Sequence, residues 1–292
     1  MTSTPHLAAQ HRILFAAIVP FLLAILLFFQ PPLIWQIIAL GPLVALLGLP
    51  HGALDHRVAS ALWPLVKQRD HLMFVAGYVG LAIVVLALWI IAPSIGLAAF
   101  LIYSALHFSD DWRADLGLWQ SLPLGVSVIA LPALVYQLDV AMLFGYLTSG
   151  PTARLFAALL HKTAIAALIA SALCLVINRK HAPWVSVEYA LLVAIALITP
   201  PLTYFVVYFC GLHSPRHFLL TSAQLGLTPT QGLRAAWPVL VATLATAAFG
   251  TVILAGVTPA FEPATLQIVF IGLAALTVPH MILSAVFKST HL

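Results

Sequence analysis

Ten apolar runs dominate this chain, and their lengths limit what it can fold into. They cover roughly residues 13–29, 33–50, 72–91, 95–109, 121–137, 155–177, 184–199, 202–218, 235–257 and 265–287. A helix crosses a bilayer with about 20 mostly apolar residues, within a range of about 17–25. Lipid offers the backbone no hydrogen-bond partners, so such runs span as helices that bond their own N–H and C=O groups. Composition points the same way. The chain is 63% hydrophobic and 7% charged, whereas a soluble domain is about 25% charged, so there is too little charge to cover a water-facing surface. The expected fold is all-α, a polytopic transmembrane bundle of about ten helices. Residues 1–12 read as an N-terminal cytoplasmic tail and 13–292 as a single transmembrane domain. The first run is long for a signal peptide and has no small-residue cleavage site after it, so it reads as a retained span.

Proline pairs divide neighbouring runs. Pro31-Pro32 follows the first and Pro200-Pro201 the seventh; each disfavours a continuous helix and predicts a tight helical hairpin. Residues 138–153 mix polar and apolar types and are predicted to be irregular or partly inserted. With the N-terminus in the cytoplasm, alternation over ten spans puts Arg12, Arg57, Lys67, Arg69, Arg113, Arg179, Lys180, Arg216, Arg234 and Lys288 on that side, ten of the twelve basic residues. This bias fits the positive-inside rule and predicts a multi-pass protein of the cell membrane with both termini cytoplasmic. Asp139, Glu188 and Glu262 are the acids expected on the opposite side. The basic residues are scattered singly and form no stripe, which excludes nucleic acid as a partner. The two cysteines, Cys174 and Cys210, lie inside apolar runs and make neither a disulfide framework nor a thiolate metal site. No internal repeat is evident, which weakens the case for an inverted-repeat transporter.

Twelve histidines stand against eight acids. His6, His11, His71, His161, His181 and His291 sit in the tail, at the C-terminus or beside charges at the ends of runs, and read as wet interfacial side chains. The other six are His51 and His56 in Gly48-Leu49-Pro50-His51-Gly52-Ala53-Leu54-Asp55-His56, His107 in Ala105-Leu106-His107-Phe108-Ser109-Asp110-Asp111-Trp112, His213 and His217 in His213-Ser214-Pro215-Arg216-His217, and His280 after Pro279. They come from four separate runs at a similar predicted depth. Polar groups inside a membrane are costly and find partners in the bundle interior, and a metal ion partners several imidazoles at once. His213 and His217 share a face if their segment is helical, with Ser214 a candidate cap. His51 and Asp55 have the same spacing, so Asp55 is a candidate acceptor for the outer ring N–H of a metal-bound His51. His56 is rotated away from His51. Asp110 and Asp111 follow His107 by three and four residues, either as supports for its ring or as solvated charges. Imidazole suits zinc, copper, iron and nickel, and a carboxylate-poor site in lipid favours redox chemistry on an apolar substrate. The alternatives are another His-ligated membrane metalloenzyme of the lipid desaturase or hydroxylase type, and a metal or ion transporter.

The first histidine motif resembles the signature of the Brp/Blh family, the bacterial and archaeal β-carotene 15,15′-dioxygenases linked to rhodopsin biogenesis. The His107 and His213–His217 segments are similar to the family's later histidine motifs in order and separation, and the likeness runs from about residue 33 to the end. The resemblance implies a membrane-embedded enzyme that uses non-haem Fe(2+) and O2 to split β-carotene into two retinal molecules. It implies His51, His107, His213 and His217 as iron ligands, no separate catalytic acid or base, and a functional link to a retinal-binding rhodopsin. It assigns no role to His56 or His280, which remain second-tier candidates, either as additional ligands or as hydrogen-bonded core residues. Tyr103, Phe108, Trp112, Tyr204, Tyr208 and Phe209 lie near the ligands in sequence and are candidates to line an apolar substrate tunnel.

Overall fold

The computed structural model describes residues 4–257 and 261–291, and among these there is no strand. The first three residues of the predicted tail lie outside the described residues; from Thr4 onward the tail is the start of helix α1 (Thr4–Phe28). Each of the ten apolar runs becomes helical, but proline and glycine cut several into pieces. The second run gives α2 (Leu33–Leu43), a π turn (Val44–Gly48) and, past a break, a 3-10 turn (Gly52–Leu54) and α3 (Asp55–Leu62). Then come α4 (Gln68–Ile91), α5 (Pro93–Leu116), α6 (Leu118–Ala130), α7 (Pro132–Val135), α8 (Gln137–Gly145), α9 (Gly150–Asn178), α10 (Pro183–Ile198) and α11 (Pro201–Tyr208). A second π turn (Phe209–His213) leads into α12 (Ser214–Gln224), and α13 (Pro229–Val257) and α14 (Phe261–His291) complete the chain. The segment predicted to be irregular is mostly ordered helix: α8 occupies 137–145 and α9 begins at Gly150.

Length separates the helices into two kinds. Within the described residues, α1, α4, α9, α13 and α14 are long and apolar enough to cross a membrane, and α2 with α3 makes a sixth if that pair, bent by 40°, is one broken span. The expected ten runs are therefore not ten complete spans. At a rise of about 1.5 Å per residue, a helix of α10's size covers only about 24 Å of a hydrocarbon core about 30 Å thick. The long helices α4 and α13 leave most of their side chains uncovered, as lipid-facing helices do. The short α10 instead buries Val185, Glu188, Tyr189, Leu192, Ile195 and Ala196. The main apolar cluster joins α1, α2, α5, α6, α10 and α11, with Trp112, Tyr208, Leu124 and Leu202 almost fully enclosed.

The tightest helix pair bears directly on the site. α5 ends at Gly117, whose φ of 77° lets the chain turn straight into α6. The two helices then pack so closely that a Cβ on Gly125 would collide with the backbone of Ala105 and Ser109, either side of His107. Gly125→Ala is expected to destabilise the bundle by about 1–3 kcal/mol, the usual cost of overpacking, and to displace His107. Thermal unfolding in detergent reads the first effect; an unchanged midpoint would mean the helices can part freely.

Candidate metal centre

The first and third histidine motifs share one local device. In each, an α-helix loosens into a π turn immediately before the first histidine: Val44–Gly48 ahead of His51, and Phe209–His213 itself. Such turns widen the helix and recur at functional sites. They pack on each other because Gly48 has no side chain; a Cβ there would lie 2.6 Å from the Phe209 ring. The break after Gly48 frees its carbonyl, which accepts the His51 Nδ1–H at 2.6 Å and the Ser214 hydroxyl at 2.6 Å. Ser214 Oγ also lies 2.9 Å from His51 Nδ1. Ser214 is therefore no helix cap: the π turn runs directly into α12 with His213 already helical, and the hydroxyl makes no cap bond. It ties the first motif to the third.

The four histidines singled out by the family likeness converge. Every pair among His51, His107, His213 and His217 has ring centroids within 6.4 Å, down to 4.7 Å for His107–His213 and 4.6 Å for His213–His217. His280 joins them, 5.0 Å from His51 and 5.5 Å from His107. His56 does not; its Nδ1 bonds the Ala53 carbonyl at 3.0 Å. Of the histidines expected to be wet, His71 and His181 are exposed. His161 is half-buried and bonds the Ala133 carbonyl, and His11 is buried with Nε2 3.1 Å from the Gly211 carbonyl. His11 escapes the tail because α1 packs along α10 and α12.

Carboxylates set the ring orientations, but not as the spacing predicted. Asp55 serves His280, whose Nδ1 lies 2.8 Å from Oδ1, rather than His51. Residues 49–54 form turns in place of a regular α-helix, so the i, i+4 relation between His51 and Asp55 does not hold. Tyr78 donates its hydroxyl to the other Asp55 oxygen at 2.7 Å. Asp111, the second of the two candidates after His107, is fully enclosed. It accepts from His213 Nδ1 at 3.1 Å and Tyr208 Oη at 2.6 Å, and lies 3.3 Å from His217 Nε2. Asp110 turns outward to Lys288 and Arg113.

Behind the histidines lies a charged core that spacing did not reveal. Glu188 has no exposed surface, accepts from Trp112 Nε1 at 3.0 Å and from Arg216, and lies 3.5 Å from Arg12 Nε. Arg216, between the two histidines of its motif, also donates to the Asp111 carbonyl at 3.2 Å, and Arg12 pairs with Asp115. Glu188 was expected on the side opposite Arg12 and Arg216. It lies among them because α10 begins at Pro183, so Glu188 is little more than a turn from the end that follows Arg179 and Lys180. One acid within an apolar run was the available signal, since such residues rarely lack a partner.

Three of the six candidate tunnel aromatics line an apolar cavity. Phe108, Tyr204 and Tyr208 do so with Leu97, Phe144 and Phe270, in a space of about 860 Å³ that includes its open mouth. Phe108 also packs edge-on against His213 with centroids 4.7 Å apart, so one ring borders both cavity and histidines. The other three have different posts. Trp112 is enclosed against Glu188, Tyr103 bonds the Val278 carbonyl at 3.4 Å, and Phe209 stacks on His213 at 5.7 Å.

This donor set fits a cation. His107 and His213 face each other through Nε2 atoms 3.1 Å apart. Two imidazole nitrogens about 2.1 Å from one first-row metal, at right angles, are about 3.0 Å apart. His213 commits its Nδ1–H to Asp111 and His51 its own to Gly48, leaving each Nε2 as a lone pair. Asp55 and Asp111 are buried, and the hydrogen bonds to their carboxylates within the described residues come from His and Tyr. A buried anion without a counter-charge is costly, and a divalent ion among the rings supplies one. Two groups, His51–His107–His280 and Asp111–His213–His217, each offer ligand atoms within 4.8 Å of one another.

A family model described as beta-carotene 15,15′-dioxygenase matches residues 42–288. A curated protein of the uncultured marine bacterium 66A03, named beta-carotene 15,15′-dioxygenase, is 35% identical over 257 residues, covering 82% of this chain and 90% of its own length. No solved structure matches.

Proposed function

The chain belongs to the β-carotene 15,15′-dioxygenase family, and on that premise we propose that it is a non-haem iron enzyme of the cell membrane. It cleaves the central 15,15′ double bond of β-carotene with O2 and yields two all-trans-retinal molecules. The observation that carries this reading is the meeting of imidazoles from separate helices beside an apolar cavity. His51, His107, His213 and His217 hold Fe(2+), which supplies the redox chemistry that couples O2 to the polyene. In the balanced reaction the C15–C15′ double bond and the O–O bond of O2 are both broken, two C=O bonds form, and each carbon gains one oxygen atom. No net proton is consumed or released, so the protein needs no separate acid or base.

The side chains have the remaining tasks. Asp111 and the Gly48 carbonyl hold the Nδ1–H of His213 and His51, which keeps each Nε2 free to bind. Phe108 and Tyr208 form the wall between cavity and histidines and seat the middle of the polyene against it. The apolar lining excludes water and takes a hydrocarbon that already dissolves in the bilayer. Residues 13–292 act as one transmembrane domain with both termini cytoplasmic, and the retinal product suits a retinal-binding rhodopsin.

Cells that make β-carotene should lose colour and accumulate retinal, identified by chromatography, when they express the chain. Ser104→Phe narrows the cavity about a turn from His107 and should cut retinal formation at least tenfold while leaving bound iron intact. His107→Ala should lose both. Retained colour with a folded, iron-loaded wild-type chain would defeat the proposal.

A further inference from the structure

We infer that His280 is a further metal ligand, binding through Nε2 and aimed by an Asp55–Tyr78 relay. This rests on the iron reading above and extends its four-histidine set. His280 lies in α14, more than 60 residues beyond the last of the four, and is 8% exposed. Its Nδ1 lies 2.8 and 3.1 Å from the two Asp55 oxygens, so the ring donates Nδ1–H to the carboxylate. Tyr78 on α4 donates to Asp55 at 2.7 Å and fixes that carboxylate in turn. The outward nitrogen, Nε2, is buried and has no hydrogen-bond partner among the described residues.

Leaving a buried acceptor unpaired carries the full loss of its hydration, and here the bare nitrogen belongs to a group with His51 and His107 whose ligand atoms all lie within 4.8 Å. The arrangement repeats what the structure does at His213, where Asp111 takes Nδ1–H and Tyr208 supports Asp111. A carboxylate on the far nitrogen fixes the tautomer and raises the basicity of a metal-binding ring. Two such carboxylate–imidazole units, each backed by a tyrosine hydroxyl, reach the cluster from different helices. Pro279 contributes locally: it removes the N–H that would bond the Ala275 carbonyl, loosening α14 where the His280 ring must turn inward.

The test uses the full chain purified in detergent and loaded anaerobically with Fe(2+). Iron per chain is measured, affinity is read by competition with a chelator, and coordinated imidazoles are counted by X-ray absorption. His280→Ala should weaken iron binding at least 10–100-fold, the range for losing an outer partner alone, and reduce the imidazole count by one. Added free imidazole should restore both, which a purely structural role would not allow. Asp55→Asn, nearly the same shape, should weaken binding about tenfold and covers the case in which His280→Ala misfolds. Wild-type affinity and imidazole count in both variants would overturn the inference and leave the iron reading standing. A wild-type chain that binds no iron would overturn both.

Discussion

His213→Ala is expected to lose iron and retinal formation together, with the iron affinity down by more than about 100-fold, beyond the cost of an outer partner. No other side chain joins so many parts of the site. Its Nε2 faces that of His107, its Nδ1 is held by Asp111, and its ring packs between Phe108 and Phe209. Removing the ring takes away a proposed ligand, strips Asp111 of a donor in a place with no exposed surface, and opens a void beside the Phe108 wall of the apolar cavity. The control is Asp111→Asn, which keeps the ligand but replaces its charged acceptor with an amide and should cost only about 10–100-fold in affinity. Iron content by elemental analysis and retinal by chromatography, on protein matched for helicity, distinguish the two. If His213→Ala retained stoichiometric iron at wild-type affinity, the cluster would not be the metal centre.

Glu188→Ala is expected to have the largest effect on stability, a loss of about 3–5 kcal/mol, as when one partner of a buried ion pair is removed. Glu188 is fully enclosed and is the shared acceptor for Arg216 and Trp112, with Arg12 close by. Without it, the buried Arg216 guanidinium loses its only carboxylate partner among the described residues, while Arg12 keeps Asp115. The consequence reaches the histidine cluster, because Arg216 sits between His213 and His217 and grips the Asp111 carbonyl. Glu188→Gln keeps the shape and one acceptor oxygen and should cost less. Thermal unfolding in detergent measures both, and an Ala midpoint equal to wild type would show that α1, α5, α10 and α12 need no charge between them.

Much of this site was legible because chemistry in a membrane is scarce. With so few charges, each histidine inside an apolar run had to have a reason to be there. His51, His107, His213 and His217 were singled out by motif likeness, and all four rings meet. Less legible was which carboxylate serves which ring. Spacing paired Asp55 with His51, on the premise of a continuous helix that the π and 3-10 turns interrupt. Asp55 instead meets a histidine 225 residues away, a contact no local pattern encodes. Ser214 was misread for a related reason. A capping residue needs a helix start, and the π turn leaves none. The tunnel aromatics divided evenly because closeness in sequence to a ligand does not say which way a ring points. On α5, Phe108 and Trp112 are one turn apart, yet one borders the cavity and the other is held by Glu188.

The amino-acid sequence by itself determined that this chain is a membrane helix bundle and that histidines from separate apolar runs meet inside it, because both follow from hydropathy and from the cost of polar groups in lipid. Tertiary structure alone decided which helices are long enough to cross, which carboxylate turns each imidazole, that His280 and not His56 joins the cluster, and that Glu188 stands between two arginines. Those outcomes depend on how helices remote in sequence pack against one another. A backbone break of a few residues, as after Gly48, redirects side chains by more than any periodicity can register.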